Sequence, residues 1–301
     1  MKKIGYIGLG KMGKSMVFHL LEKGWDVVAY NRSPEPIQEA VSAGATGAVT
    51  LKELIDKLPA PRLVWVMVSH QGVDAALEEL VPLLSPGDTV IDGGNSNYKE
   101  SMRRAAELKE KQIHFMDAGI SGGPGGARTG ASTMVGGEKE QFERFGQLFK
   151  DISVPDGYGY MGAAGAGHFV KMVHNGIEYG MMQAIAEGFA VMKKSPFELD
   201  LAKVVSVYQH GTVIESRLID WLGKAFQEAG EELSGISGSV AHSGEGLWTV
   251  EAAQELNIPV PVIERSLKFR VDSQENPSYT GQVVSALRNQ FGGHDVGEKN
   301  N

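Results

Sequence analysis

The chain has 301 residues, 42% hydrophobic and 22% charged, with a formal net charge of −8 and no cysteine. That composition belongs to a folded globular protein with room for two domains of roughly 150 residues. It excludes disulfides, thiolate metal sites and thiol catalysis, leaves no metal site to expect, and lacks the basic face that a nucleic-acid partner needs.

No apolar run approaches the roughly 20 residues of a membrane helix, and residues 1–10 enter a strand-like run without a signal-peptide pattern. A soluble cytoplasmic protein with no membrane partner is expected. An anionic small-molecule substrate stays compatible with the acidic chain where cations gather locally.

Residues 3–8 form a short apolar strand that enters Gly8-Leu9-Gly10-Lys11-Met12-Gly13, and a helical pattern follows through Met16, Val17, Leu20 and Leu21 to Gly24. A second strand spans 26–30. Here GxGxxG stands in a strand–turn–helix context. Its first glycine permits the tight turn, its second lets backbone approach a pyrophosphate, and its third allows close helix–strand packing. The phosphates would lie on the helix N-terminus. After the second strand, an acidic residue would bond the adenine ribose of NAD, whereas arginine accommodates the 2′-phosphate of NADP. The chain has Asn31-Arg32-Ser33, which favours NADP and keeps NAD possible. Arg32 also reads as a solvated loop residue.

Helical patterns at 36–43, 51–57, from 73 and at 98–111 then alternate with strands at 63–68, 89–92 and 114–117. The alternation predicts an α/β fold, a Rossmann-type doubly wound and mostly parallel sheet. Ligands of such sheets lie beyond the carboxyl ends of the strands. This makes Val68, Ser69, His70, Asn95 and the loop after Asp117 rim candidates, although His70 equally reads as an exposed loop histidine. The stretch 118–131 is glycine-dense and is expected to be a loop. Its Ser121 and the amides of Gly122 and Gly123 suit a carboxylate. A last strand at 132–135, a helix at 140–149 and a glycine-rich hinge at 157–167 complete the N-terminal part. We place the boundary near residue 163, giving a dinucleotide-binding domain 1–163 and an all-helical domain 164–301.

Residues 165–188 read GAGHFVKMVHNGIEYGMMQAIAEG. Lys171, His174, Asn175 and Glu178 fall at i, i+3, i+4 and i+7, along one face of a helix. Two readings are open: a solvated polar stripe on an amphipathic helix, or an acid–base face. Beyond 188 the alternation stops, with helical patterns at 201–209, 213–226, 249–256, 260–271 and 281–291 and no internal repeat.

The chain resembles the decarboxylating 6-phosphogluconate dehydrogenases, in particular their short bacterial form, within the β-hydroxyacid dehydrogenase superfamily. The resemblance covers nearly the whole chain. It rests on GLGKMG at 8–13, NRS at 31–33, IDGGNS at 91–96, SGG at 121–123, GAGHFVKMVHNGIEYGMMQ at 165–183 and LRNQFGGH at 287–294. It implies oxidation of the substrate at C3 with reduction of NADP or NAD, loss of carbon dioxide, and protonation at C1. Lys171 then matches the base, Glu178 the acid, and Asn175 a residue holding the hydroxyl or nicotinamide amide. Asn95, Ser121, Gly122, Gly123, His174 and Tyr179 correspond to substrate contacts, and Arg270 to a phosphate-binding arginine. Arg288 and His294 match a tail that in the family reaches the neighbouring subunit's site, which implies a homodimer or higher homo-oligomer with shared active sites.

One stretch departs from the pattern. Where the longer enzymes carry a KGTGKWT-type motif, Ser243 stands in place of a phosphate-contacting lysine and Glu245 in place of a threonine. Neither is carried over as a ligand. Two alternatives remain: a β-hydroxyacid dehydrogenase acting on a small unphosphorylated acid, and a non-enzymatic dinucleotide-sensing protein. Glu178, Arg270 and the Arg288/His294 tail count against the first. The Lys171/Glu178 pair counts against the second.

Overall fold

The computed structural model describes residues 2–241 and 244–293 and divides into two compact units, Met1–Lys171 and Met172–Asn301. His294 and Ser243, both singled out above, lie outside the described residues.

The first unit holds eight strands: β1 Lys3–Ile7, β2 Asp26–Tyr30, β3 Thr46–Ala48, β4 Leu63–Val66, β5 Thr89–Asp92, β6 His114–Ser121, β7 Ala131–Gly136 and β8 Ser153–Gly162. Its helices are α1 Lys11–Glu22, α2 Pro34–Ser42, α3 Leu51–Asp56, α4 Val73–Leu80, α5 Tyr98–Glu110, α6 Gly123–Thr129, α7 Lys139–Arg144 and α8 Gly146–Ile152. The strands form one sheet in the order β3-β2-β1-β4-β5-β6-β7-β8. All neighbours are parallel except β6 and β7. The period of two along each strand feeds two cores. Ile4, Tyr6, Val27, Ala29, Trp65 and Ile91 join the side chains of α1, α2 and α8, while Val28, Val64, Val66 and Val90 join those of α3 and α4. Strand order reverses between β1 and β4, the switch point at which such sheets bind ligands.

Three local readings are corrected. The stretch expected as a hinge at 157–167 holds the later part of β8 and the start of α9, because Tyr158 and Tyr160 alternate with glycines and pack on Phe142 at 6.3 and 5.5 Å between ring centres. The stretch expected as a loop continues β6 to Ser121 and then forms α6, which caps the core through buried Gly126 and Ala127. The single helix expected at 140–149 is broken at Phe145–Gly146 into α7 and α8. Strand β3, Thr46-Gly47-Ala48, is three residues long with glycine and alanine at two of them, and carries too little pattern to be read in advance.

Helix α9, Ala166–Lys193, begins in the first unit and continues into the second, which otherwise consists of α10 Leu201–Tyr208, α11 Arg217–Ala229, α12 Glu245–Glu255, α13 Pro261–Asp272 and α14 Tyr279–Gly292. Met182, Ala186 and Phe189 of α9, Leu218, Leu222 and Phe226 of α11, and Val283, Val284 and Leu287 of α14 make the core of this unit. Side chains fix several helix starts. Ser216 accepts a bond from the Ile219 amide, which begins α11 at 217 rather than 213, and Asp200 and Ser278 cap α10 and α14 in the same way. Helix α12 begins at Glu245, four residues before the apolar pattern, because Glu245 and Gly246 are themselves buried. Among the described residues no helix is long and apolar enough to cross a membrane.

Candidate active site

The turn after β1 is shaped for close approach of backbone. Gly8 has φ +99°, and a Cβ there would fall 2.2 Å from the Met67 carbonyl oxygen, so no other residue fits. The Gly8 amide donates to the Tyr30 carbonyl at 3.0 Å, and the Leu9 amide donates to Asn31 Oδ1 at 3.0 Å. Helix α1 then starts at Lys11 from a Gly10 N-cap without a side-chain cap and without an acidic residue in its first turn. A Cβ at Gly10 would meet only open space. Uncapped amides, positive dipole end and open approach together fit a pyrophosphate; Met12 is half-buried against the core and Gly13 is buried.

Asn31 is spent on the turn itself, since its Nδ2 also donates to the Ser33 carbonyl at 3.2 Å. Arg32 and Ser33 beside it are exposed, and Arg32 carries no ion pair among the described residues. An exposed guanidinium at the end of β2 fits an added phosphate.

Buried Asp92 organises the next part of the rim. It accepts from the Gly94 amide at 3.0 Å and from Ser96 Oγ at 2.7 Å, and lies 3.4 Å from the buried Arg104 guanidinium. The turn so fixed exposes Asn95. Val68, Ser69 and His70 follow β4 at the same strand edge, with Ser69 exposed and the other two half-buried. Ser121 ends β6, and Gly122 and Gly123, at φ +135° and +62°, turn the chain into α6.

The start of α9 is fixed by a residue that the sequence alone did not single out for a role. Asp117, fully buried on β6, accepts from the Gly165 amide at 2.6 Å and the His168 amide at 2.7 Å. A carboxylate on the first amides of a helix satisfies orphan donors and complements the dipole. His168 in turn shares a 2.7 Å bond with Ser101 Oγ, and Phe169 meets Tyr98 edge-on at 5.0 Å. One turn after His168 comes Lys171, buried over β6, where a Cβ on Gly119 would fall 2.3 Å from Lys171 Cβ.

In the second unit, α9 presents His174, Asn175 and Glu178 on the turns that follow. His174 Nδ1 lies 3.0 Å from Asn175 Oδ1 and 3.8 Å from Glu178 Oε2. Thr249 of α12 donates to the Met172 carbonyl at 2.8 Å, and the backbone of Gly246 lies against the Tyr179 ring, where a Cβ would be 2.4 Å away. On the same ring sits Arg270 of α13, its guanidinium carbon 3.3 Å from the ring centre. Arg270 and Arg288 of α14 are both buried. Burial pushes the Arg270 guanidinium down to about 10, with the Arg288 charge adding to the fall and Tyr179, Glu178 and Glu245 opposing it. Burial lowers Arg288 as well, against Tyr179, Glu245 and Glu178. Tyr179 Oη and Arg270 Nη2 are buried without a hydrogen-bond partner among the described residues. Buried polar atoms are normally satisfied, and this pair of donors fits an anion.

Known proteins follow the same division. The sequence profile described as the NAD binding domain of 6-phosphogluconate dehydrogenase matches residues 3–165, and the profile of the C-terminal domain of 6-phosphogluconate dehydrogenase matches residues 167–283. A Bacillus subtilis (strain 168) protein, YqeC, named as a candidate 6-phosphogluconate dehydrogenase, is 50% identical over 99% of this chain and 100% of its own. An NAD(+)-dependent, decarboxylating 6-phosphogluconate dehydrogenase of Haloferax volcanii is 40% identical over 99% of each chain. Among solved structures, Plasmodium falciparum 6-phosphogluconate dehydrogenase, determined in its apo form and in complexes with NADP+ and with 6-phosphogluconate, superposes with a TM-score of 0.82 at 31% identity. That match covers 99% of this chain and 67% of the Plasmodium chain. With both halves of its length matched and its Gly8–Gly13 turn, Lys171 and Arg270 in place, the chain belongs to the 6-phosphogluconate dehydrogenase family.

Proposed function

We propose that this protein catalyses the oxidative decarboxylation of 6-phosphogluconate to ribulose 5-phosphate and carbon dioxide, with NADP as the preferred acceptor and NAD as the alternative. The observation that carries the reading is the helix α9 itself, with an amine at 171 and a carboxyl at 178 two turns apart on one face and a buried, unsatisfied Tyr179–Arg270 pair beside them.

The dinucleotide fits the Gly8–Gly13 turn, the open N-terminus of α1 and the exposed Arg32, and when bound it supplies the hydride acceptor. Lys171, neutral at the start, takes the proton of the C3 hydroxyl as the C3 hydride departs. Asn175 orients that hydroxyl. The β-keto acid so formed loses carbon dioxide, and Glu178 gives its proton to C1 of the enediol. Ser121 and the amides of Gly122 and Gly123 hold the carboxylate, Asn95 and His174 the sugar hydroxyls, and Tyr179, Arg270 and Arg288 the phosphate. We keep residue 163 as the functional boundary between the dinucleotide and substrate parts and place the enzyme in the cytoplasm. A homodimer is part of the reading. It is supported by the exposed Ile177, Met181 and Val262 on neighbouring faces of α9 and α13, apolar side chains that association would cover.

A β-hydroxyacid dehydrogenase needs neither Glu178 nor a buried arginine pair, which leaves that alternative without a use for them. The test is carbon dioxide release and reduced-cofactor absorbance with 6-phosphogluconate, run with NADP and NAD in turn. Oxidation of a small unphosphorylated hydroxy acid with no turnover of 6-phosphogluconate would overturn the proposal.

A further inference from the structure

Four charged side chains share the anion cluster of the second unit: Glu178 on α9, Glu245 on α12, Arg270 on α13 and Arg288 on α14. Glu178 is the proton donor of the reaction proposed above, which leaves Glu245 as the carboxylate that offsets one of the two arginine charges before any ligand arrives. Glu245 is the first residue of α12, next to the Gly246 backbone that lies on the Tyr179 ring, and only 5% of it is exposed. Its neighbour Gly246 thus lies on the ring that carries Arg270, and the charge of Glu245 acts on both arginines. A phosphate dianion entering this cluster meets two buried arginines, one of whose charges Glu245 already offsets. The dianion then leaves one negative charge in excess, which is unfavourable in a buried place unless a proton removes it.

We propose that Glu245 is a specificity-determining residue, whose carboxylate offsets one charge of the arginine pair in the resting protein and must itself be offset by uptake of one proton when the phosphate end of the substrate binds. The proton comes from solvent and is held on the Glu245 carboxyl or on a phosphate oxygen. The charged and titratable groups that share its cluster are Glu178 and Tyr179 from α9, Arg270 from α13 and Arg288 from α14; His242 lies outside the described residues. The inference rests on the phosphate-binding role given above to Tyr179, Arg270 and Arg288.

Two measurements on the whole enzyme test it. The first is the KM for 6-phosphogluconate in wild type, Glu245→Gln and Glu245→Thr at pH 8.5. Removing one carboxylate charge is expected to lower KM at least tenfold, the effect of a unit charge about 12 Å away at an effective dielectric near 20, while kcat changes far less. The second is the inhibition constant of inorganic phosphate between pH 7.5 and 9. In wild type it should rise about tenfold per pH unit, the slope of one proton taken up on binding a dianion, and in both variants the slope should flatten. An unchanged or raised KM in both variants, or a wild-type slope retained by them, overturns the proposal. Absence of wild-type turnover with 6-phosphogluconate is a different result and overturns the functional reading instead.

Discussion

Substituting Gly119 by alanine tests whether Lys171, the proposed base, is placed by backbone contact. The new Cβ would lie 2.3 Å from Lys171 Cβ, 2.9 Å from the Gly167 carbonyl oxygen and 3.0 Å from Lys171 Cγ. Non-bonded carbons rest at about 3.5–4.0 Å, so the first turns of α9 must retreat from β6 by about 1 Å or more. Strand β6 cannot give way instead, because it is paired on both sides, to β5 and β7. Overpacking of this kind costs about 1–3 kcal/mol, and a displacement near 1 Å at the reacting groups costs about 10²-fold in rate. Gly119→Ala is therefore expected to lower kcat about a hundredfold and to lower the melting temperature by several degrees. Affinity for the dinucleotide, which we propose binds the Gly8–Gly13 turn, should stay near that of wild type. Steady-state kinetics, cofactor fluorescence titration and a thermal melt separate the three effects. A variant with wild-type kcat and an unchanged melt would refute the contact as the device that positions Lys171.

Lys171→Met should lose about 10²–10⁴ in turnover, the usual contribution of a general base, with cofactor binding nearly intact; wild-type-like carbon dioxide release would end the mechanism. Arg32→Ala should raise the KM for NADP about tenfold to a hundredfold, from loss of charge-assisted bonds worth roughly 1.5–3 kcal/mol, and leave that for NAD little changed. A native preference for NAD would mean that Arg32 selects nothing.

The parts of the site that are contiguous in the chain were legible before any coordinates. The Gly8–Gly13 turn declares itself because strand, turn and helix follow each other within two dozen residues, and the Lys171–Glu178 face because helical spacing is fixed. What the sequence hides is contact between distant residues. Asp117 reads as the end of a strand, yet its carboxylate caps α9 across 48 residues. Gly119 looks like one more glycine in a dense run until Lys171 lies on it. The stacking of Arg270 on Tyr179 joins two helices whose spacing in sequence carries no signal, and β8 was hidden because a glycine-rich composition masked the alternation of its tyrosines. Propensity marks elements, but which surfaces meet is decided by tertiary packing.

Arg288 gives the resemblance and the coordinates different consequences. In the family pattern the tail arginine serves the neighbouring subunit. In this chain Arg288 is buried on α14, flanked by the core residues Leu287 and Val284, and its electrostatic partners are Tyr179, Glu245 and Glu178 of the same chain. A buried guanidinium coupled to its own cluster is not available to a neighbour without leaving that core, which would expose apolar surface and strand Arg270 beside an empty place. Mixing an inactive Lys171→Met subunit with an inactive Arg288→Ala subunit distinguishes the two cases. If Arg288 serves a neighbour, one site of the heterodimer carries both lesions, the other carries neither, and activity returns. If Arg288 serves its own chain, each site keeps one lesion and the mixture stays inactive. The placement of Arg288 predicts the second outcome. Recovery of turnover, with heterodimers confirmed by mass spectrometry, would show that the arginine crosses to its partner and that the cluster described here is completed by the other subunit.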